Sequence, residues 1–280
     1  MRKVGNPVLL REMRARAKGK RGFVVHILFL TFFLLIFLPS YYFVLREETP
    51  WAGNDLVFTA LLVSLLCFTA VASPAFSSGS ITGEREQKTL AFLLVLPLKP
   101  ETIVSGKILS SFFFSALLLT TTLPFLFLAF TVGGIDGRRF LLAFILILIS
   151  SLFFSALGLF FSSLSKRTAS ATAITYGVII ALLFGTLALE SYLASRHPRG
   201  GGLPHLSGVF YLNPLMGLLS ILSGKEFDMT VGETHKSFTE CVPYKFVPLP
   251  LWVVNILLLL IFTFILGLLT IRRLRKMERS

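Results

Sequence analysis

Residues 140–161 read FLLAFILILISSLFFSALGLFF, a run of 22 residues without a charge. A bilayer core of about 30 Å needs about 20 helical residues to cross it, so the run is long enough. A strand spans a membrane only inside a closed barrel, and barrel strands alternate polar and apolar positions. Leu141–Ile149, LLAFILILI, does not alternate. The stretch therefore reads as a transmembrane helix. Five further runs have the same character: Phe23–Val44, Leu56–Phe76, Ile108–Phe130, Ala169–Leu193 and Leu249–Ile271. The expected fold is all-α, a polytopic bundle of about six spans, with residues 1–280 as a single transmembrane domain.

Composition agrees with that expectation. Hydrophobic residues make up 54% of the chain, charged residues 15%, and the mean hydropathy is +0.80. Soluble proteins carry about 25% charged residues, so this chain needs lipid as solvent for much of its apolar surface. The net charge is +13. The basic residues gather at the ends of apolar runs, which argues for membrane orientation and against a nucleic-acid partner. Cys67 lies in an apolar run and Cys241 in a polar loop, with no Cys-x-x-Cys spacing between them. The apolar run after Arg11–Arg21 is too long for a signal peptide.

Orientation follows from Lys and Arg. With the N-terminus inside, residues 1–22 hold 8, the first inner loop 4 (Arg85, Lys88, Lys99, Lys107), the second 2 (Lys166, Arg167) and the C-terminal tail 5. That places 19 of 27 inside. The positive-inside rule then puts both termini on the cytoplasmic side of the cell membrane.

Three segments outside the spans carry information. In residues 1–22, Leu9, Leu10, Met13 and Ala17 recur at near-helical spacing among arginines, the pattern of a helix lying on the inner leaflet or of a solvated basic tail. Residues 77–107 begin too polar to span, and Leu90–Leu98 is too short. This loop reads as a short amphipathic helix and a tight turn, with Pro100 and Glu101 as a helix start. A docking surface for a cytoplasmic partner and a plain connector both fit it. Residues 194–248 form the long extracytoplasmic loop. Within it, Val209–Leu222, broken by Asn213-Pro214, reads as a re-entrant or interfacial piece.

Some chemistry is missing from the sequence. Within the six runs the one formally charged residue is Glu190, near an outer end, and no mid-membrane acid, base or histidine marks an ion-coupled path. No G-x-x-x-x-G-K-[ST], G-x-S-x-G or H-E-x-x-H pattern occurs. The chain is thus expected not to be an enzyme, and to bind no cofactor or metal. His197, His205, Glu233, His235 and Cys241 read as solvated loop residues. The Ser, Thr, Ala and Gly positions crowding the third to fifth runs read as close helix packing. Pro39, Pro74 and Pro124 are expected to bend or end their helices.

The stretch Gly79–Lys107, with Ile81-Thr82-Gly83-Glu84-Arg85-Glu86, Thr89, Leu93-Leu94, Pro97-Leu98 and Gly106-Lys107, resembles the signature inner loop of ABC-exporter permeases of the type-2 class. Asn6 to Glu12, Gly133-Gly134, Ser162–Ala173 and Asn213-Pro214 add to the likeness. The resemblance implies a six-helix permease paired as a homo- or heterodimer and powered by a separate cytoplasmic ABC ATPase, which would hold the ATP and magnesium. Glu84–Leu98 would be the coupling helix, through Glu84, Arg85, Glu86, Thr89, Leu93, Leu94 and Pro97. Lys166 and Arg167 would make a minor contact, the N-terminal segment would be the connecting helix, and Asn213-Pro214 would belong to an outer gate. A stand-alone secondary transporter or channel, and a structural or assembly membrane protein, are the competing readings. The lack of a charged cavity favours lipid-like or amphipathic cargo.

Overall fold

The computed structural model describes residues 7–17, 20–46, 50–89, 99–127, 137–189, 192, 211–222 and 250–278. Its elements are α1 (Pro7–Ala17), α2 (Lys20–Arg46), α3 (Pro50–Ser77), α4 (Thr82–Glu86), α5 (Pro100–Thr121), α6 (Gly137–Leu164), α7 (Thr168–Ile180), α8 (Pro214–Leu222) and α9 (Leu251–Glu278). Beyond Ile180, α7 passes into a π-helical segment, Ala181–Gly185, and runs on to residue 189. No strand occurs among the described residues.

The helices α3, α5, α6, α7 with its continuation, and α9 are each long and apolar enough to cross a membrane. The 27-residue α2 carries a shorter apolar stretch, His26–Pro39, which makes five to six membrane-capable helices among the described residues. The protein is an all-α multi-pass membrane bundle.

α6 stands at the centre, in contact with α3, α5, α7, α8 and α9. That position suits a helix apolar on every side, which is buried against other helices through most of Ser150–Leu159. Small residues let its neighbours approach. An added Cβ at Gly158 would stand 3.3 Å from the Cα of Pro74 and 2.1 Å from Ser77 Oγ. Ser73 Oγ donates to Ser151 Oγ across the same contact at 3.1 Å. Other hydroxyls of the spans, including Thr69, Ser150 and Thr175, return their protons to carbonyls one turn back.

Two boundaries differ from expectation. The third span begins at Pro100, not Ile108, so residues 100–107 are helix and not loop. Pro100 sits in the first turn behind an extended Lys99, and Glu101 follows it. Lys107 made these residues look like loop, yet it is 2% exposed. The expected helix Glu84–Leu98 is interrupted as well. α4 closes at Glu86, and Lys88 takes φ 57°, the left-handed conformation. The Lys88 N–H donates to Arg85 O and the Thr89 N–H to Glu84 O, the pair of bonds that ends a helix with a reversal. Leu93, Leu94 and Pro97 lie outside the described residues, as do His197, His205, Glu233, His235 and Cys241.

Candidate functional site

One end of the bundle gathers α1, the loop 78–89, the start of α5, the junction of α6 with α7, and the end of α9. Val8, Ile81, Ile103, Val104, Leu159 and Leu274 form a buried cluster from five of these segments. Polar bonds are laid over that apolar base.

Lys107 is the centre of the polar network. Its ammonium donates to Glu12 Oε1, Glu84 Oε1 and Ser80 O, each at 2.9 Å. Three protons thus meet three acceptors, the full donor capacity of an ammonium. A buried charge is tolerated when it is paired and hydrogen-bonded, and that condition is met here. Glu12 also accepts from Ser110 Oγ at 2.5 Å. One side chain on α5 therefore ties the N-terminal helix to the inner loop. Glu84 Oε2 is buried with no partner among the described residues.

The neighbours of Glu84 reach the other way. Arg85 donates to Ser165 O at 2.5 Å and to Met277 Sδ at 3.2 Å, bridging the α6–α7 junction and α9. Glu86 receives the Thr168 N–H at 2.7 Å and the Thr168 hydroxyl at 2.8 Å. It thereby caps α7 from a segment 82 residues away, and a carboxylate at a helix N-terminus is favoured by the helix dipole. Those two bonds, backbone first, and the nearby Arg167 hold the Glu86 carboxyl below the usual glutamate range. Ser162 Oγ accepts the N–H groups of Ile81 and Thr82 at 3.1 Å each, satisfying the orphan donors at the start of α4. Gly79 passes Thr168 so closely that a Cβ would stand 3.2 Å from its methyl. Glu101 and Arg275 form an exposed ion pair between α5 and α9.

The sequence-predicted residues divide accordingly. Glu84 and Arg85 are half-buried and face the bundle, while Glu86 is exposed and caps α7 at its surface; all three tie parts of the bundle together. Gln87, Lys88 and Thr89 are exposed, as are Lys166 and Arg167. Glu12, Lys107, Ser162 and Thr168 fell within the resembling stretches, and sequence reasoning gave none of them a role in this network. A lysine followed at once by an apolar run was the available signal for Lys107; the others carry no mark in sequence, because their partners are about 80 residues distant.

At the opposite end, Asn213 and Pro214 are buried. Pro214 opens α8, which packs on α6, α9 and α3 through Gly217, Leu218 and Ile221. It lies within the stretch read from sequence as a re-entrant or interfacial piece. Asn255 on α9, an asparagine within an apolar run, was the missed residue there.

A family model described as ABC-2 family transporter protein matches residues 7–279. No curated protein matches the chain.

Proposed function

The chain belongs to the ABC-2 transporter family, and from that premise we propose that it forms, as a dimer, the translocation path of an ATP-driven exporter. A separate cytoplasmic ATPase subunit would bind the end of the bundle built around Lys107. The observation that carries this reading is the Lys107 network, with Glu12, Glu84 and Ser80 O all at 2.9 Å. Coupling between two proteins needs an element whose displacement reaches the path. A force on the inner loop reaches α5 and α1 through Glu84 and Lys107, α7 through Glu86 and Thr168, and α9 through Arg85.

This division of labour assigns docking to the exposed turn Gln87–Thr89, to Leu93, Leu94 and Pro97, and to the exposed Lys166 and Arg167. Glu84, Arg85 and Glu86 transmit. Both termini lie in the cytoplasm in this reading, with the ATP and magnesium on the partner. The dimer reading has support on α7. Ala169, Ala173, Gly177, Ala181 and Gly185, four apart, are all exposed, and an added Cβ at Gly177 meets nothing within 4 Å. Small residues at that spacing let a second membrane helix pack closely.

The test is purification of the tagged chain from native membranes in mild detergent, with mass spectrometry of what accompanies it. The expected result is a stoichiometric ATPase whose hydrolysis the chain stimulates. An intact, abundant permease purifying without any ATPase would overturn the reading in favour of a stand-alone membrane protein.

A further inference from the structure

The far end of the bundle holds an arrangement that the coupling network does not use. Ala181–Gly185 is π-helical within an otherwise α-helical span. A π segment carries one extra residue per turn and often marks a functional position. At its centre, Leu183 O accepts from Asn213 Nδ2 at 3.0 Å. The same amide donates to Thr186 Oγ1 at 2.7 Å, and that hydroxyl donates to Leu182 O at 2.8 Å. The other end of the side chain caps α8: Asn213 Oδ1 accepts the Leu215 N–H at 2.9 Å. Asn213 is fully buried, so its amide and its carbonyl are both committed.

A second asparagine holds this piece from behind. Asn255 Nδ2 on α9 donates to Tyr211 O at 2.7 Å and to Asn213 O at 3.1 Å. Its Oδ1 is buried with no partner among the described residues. An added Cβ at Gly217 would stand 2.7 Å from that oxygen. The start of α8 is therefore gripped by α7 on one side and α9 on the other.

We infer that Asn213 is a positioning residue that ties α8 to the π segment of α7, so that a displacement of α7 carries the outer helix with it. The inference rests on the exporter reading. Conversion of the π segment to α-helix would remove one residue from the turn and rotate the chain beyond it. The Leu183 carbonyl would turn with it. A fully buried amide left without an acceptor is costly, so α8 follows the carbonyl. The inner network caps α7 at Thr168, so the same helix carries the coupling motion from one end of the bundle to the other.

The experiment is outside labelling of Leu222→Cys at the end of α8, in a Cys67→Ala, Cys241→Ala background. Right-side-out vesicles of native membranes are loaded with magnesium and either ATP or ADP, and an impermeant maleimide is the probe. The parent is expected to label about threefold differently in the two nucleotides. Asn213→Ala and Asn213→Asp are expected to bring the ratio to about one while ATP hydrolysis continues. A packing role alone would lower the amount of inserted protein and leave the ratio untouched. Should the Asn213 variants fail to insert, Thr186→Val decides, because it removes one acceptor of the amide and keeps the α8 cap: a reduced ratio supports the inference. A parental ratio in every inserted variant overturns it. A parent that labels equally in ATP and ADP overturns the exporter reading, and this inference with it.

Discussion

The Lys107 ammonium and the Glu84 carboxylate meet at 2.9 Å across 23 residues of chain, one on the first turns of a span and the other on the inner loop. Lys107 is 2% exposed and Glu84 26%. Glu12 shares the same ammonium at 2.9 Å. Removing the lysine leaves two carboxylates facing each other without a counter-charge. Breaking a buried pair costs about 3–5 kcal/mol, and the partial exposure of both glutamates reduces that to roughly half. Lys107→Met is expected to lower the apparent Tm in detergent by about 3–4 °C. Adding Glu12→Gln and Glu84→Gln should restore much of the loss, since the uncompensated charges go with them. Equal Tm values for the single and triple variants would remove the ion pair from the account.

Glu84 and Leu94 are predicted to fail differently. Glu84→Arg places a cation beside Lys107, and is expected to lower both Tm and stimulation of the partner ATPase while the protein still inserts. Leu94→Asp leaves Glu12, Glu84 and Lys107 unaltered, and is expected to abolish stimulation with Tm unchanged. Normal ATPase stimulation in both variants would refute the coupling role of the loop.

The tie between Glu86 and Thr168 has a pH window. The folded carboxyl titrates below its ordinary value of 4.5. Its stabilisation is therefore present above the unfolded pKa and is lost as pH falls through the depressed folded value. The protection factor of the Thr168 amide, by hydrogen exchange, should hold from neutrality down to about pH 5 and drop below 4. Glu86→Gln should lower it at neutral pH and flatten the dependence. An unchanged protection factor in Glu86→Gln would exclude the cap.

Two glycines separate folding from assembly. Gly217→Ala drives a Cβ to 2.7 Å from Asn255 Oδ1 and 3.0 Å from Leu146 Cδ1. Overpacking of this kind costs about 1–3 kcal/mol, so Tm should fall. Gly177 opens on space. Gly177→Leu should leave the Tm of the dispersed chain near the parental value and weaken pairing, read by cross-linking in membranes. Undiminished pairing would move the dimer contact off α7.

Topology is tested by tags. One placed after Gly201 should be reached from outside, and one after Ser280 only from inside. The reverse pattern would invert the bundle and move the Lys107 network to the outer face.

Much of this protein is legible from local sequence. Residues 140–161 declare a span because 22 uncharged and mostly apolar residues leave the segment no solvent but lipid. Pro100 with Glu101 marks a helix start that the structure bears out. Asn213-Pro214 marks a break in an apolar stretch, and in the structure the asparagine caps and the proline opens α8 there. Each signal spans a few residues, so no folded context is needed to read it.

The site was legible in part. Glu84, Arg85 and Glu86 stood out as charges leading into an apolar run, and a helix continuing through Leu98 was the natural expectation. The left-handed Lys88 breaks that helix, and nothing local demands it, since glycine is the usual residue there.

Composition, runs of hydropathy and the distribution of Lys and Arg thus determined by themselves an all-α multi-pass membrane bundle and its expected orientation, because partition between water and lipid acts on each segment separately. Tertiary structure alone decided that Lys107 is buried, that Glu84 faces Lys107 while Glu86 caps α7, and that Asn213 bridges α8 to a π segment. Those outcomes depend on partners up to about 95 residues apart meeting in space. The free energy of a buried charge or amide is set by the partner it finds there, which local sequence does not encode.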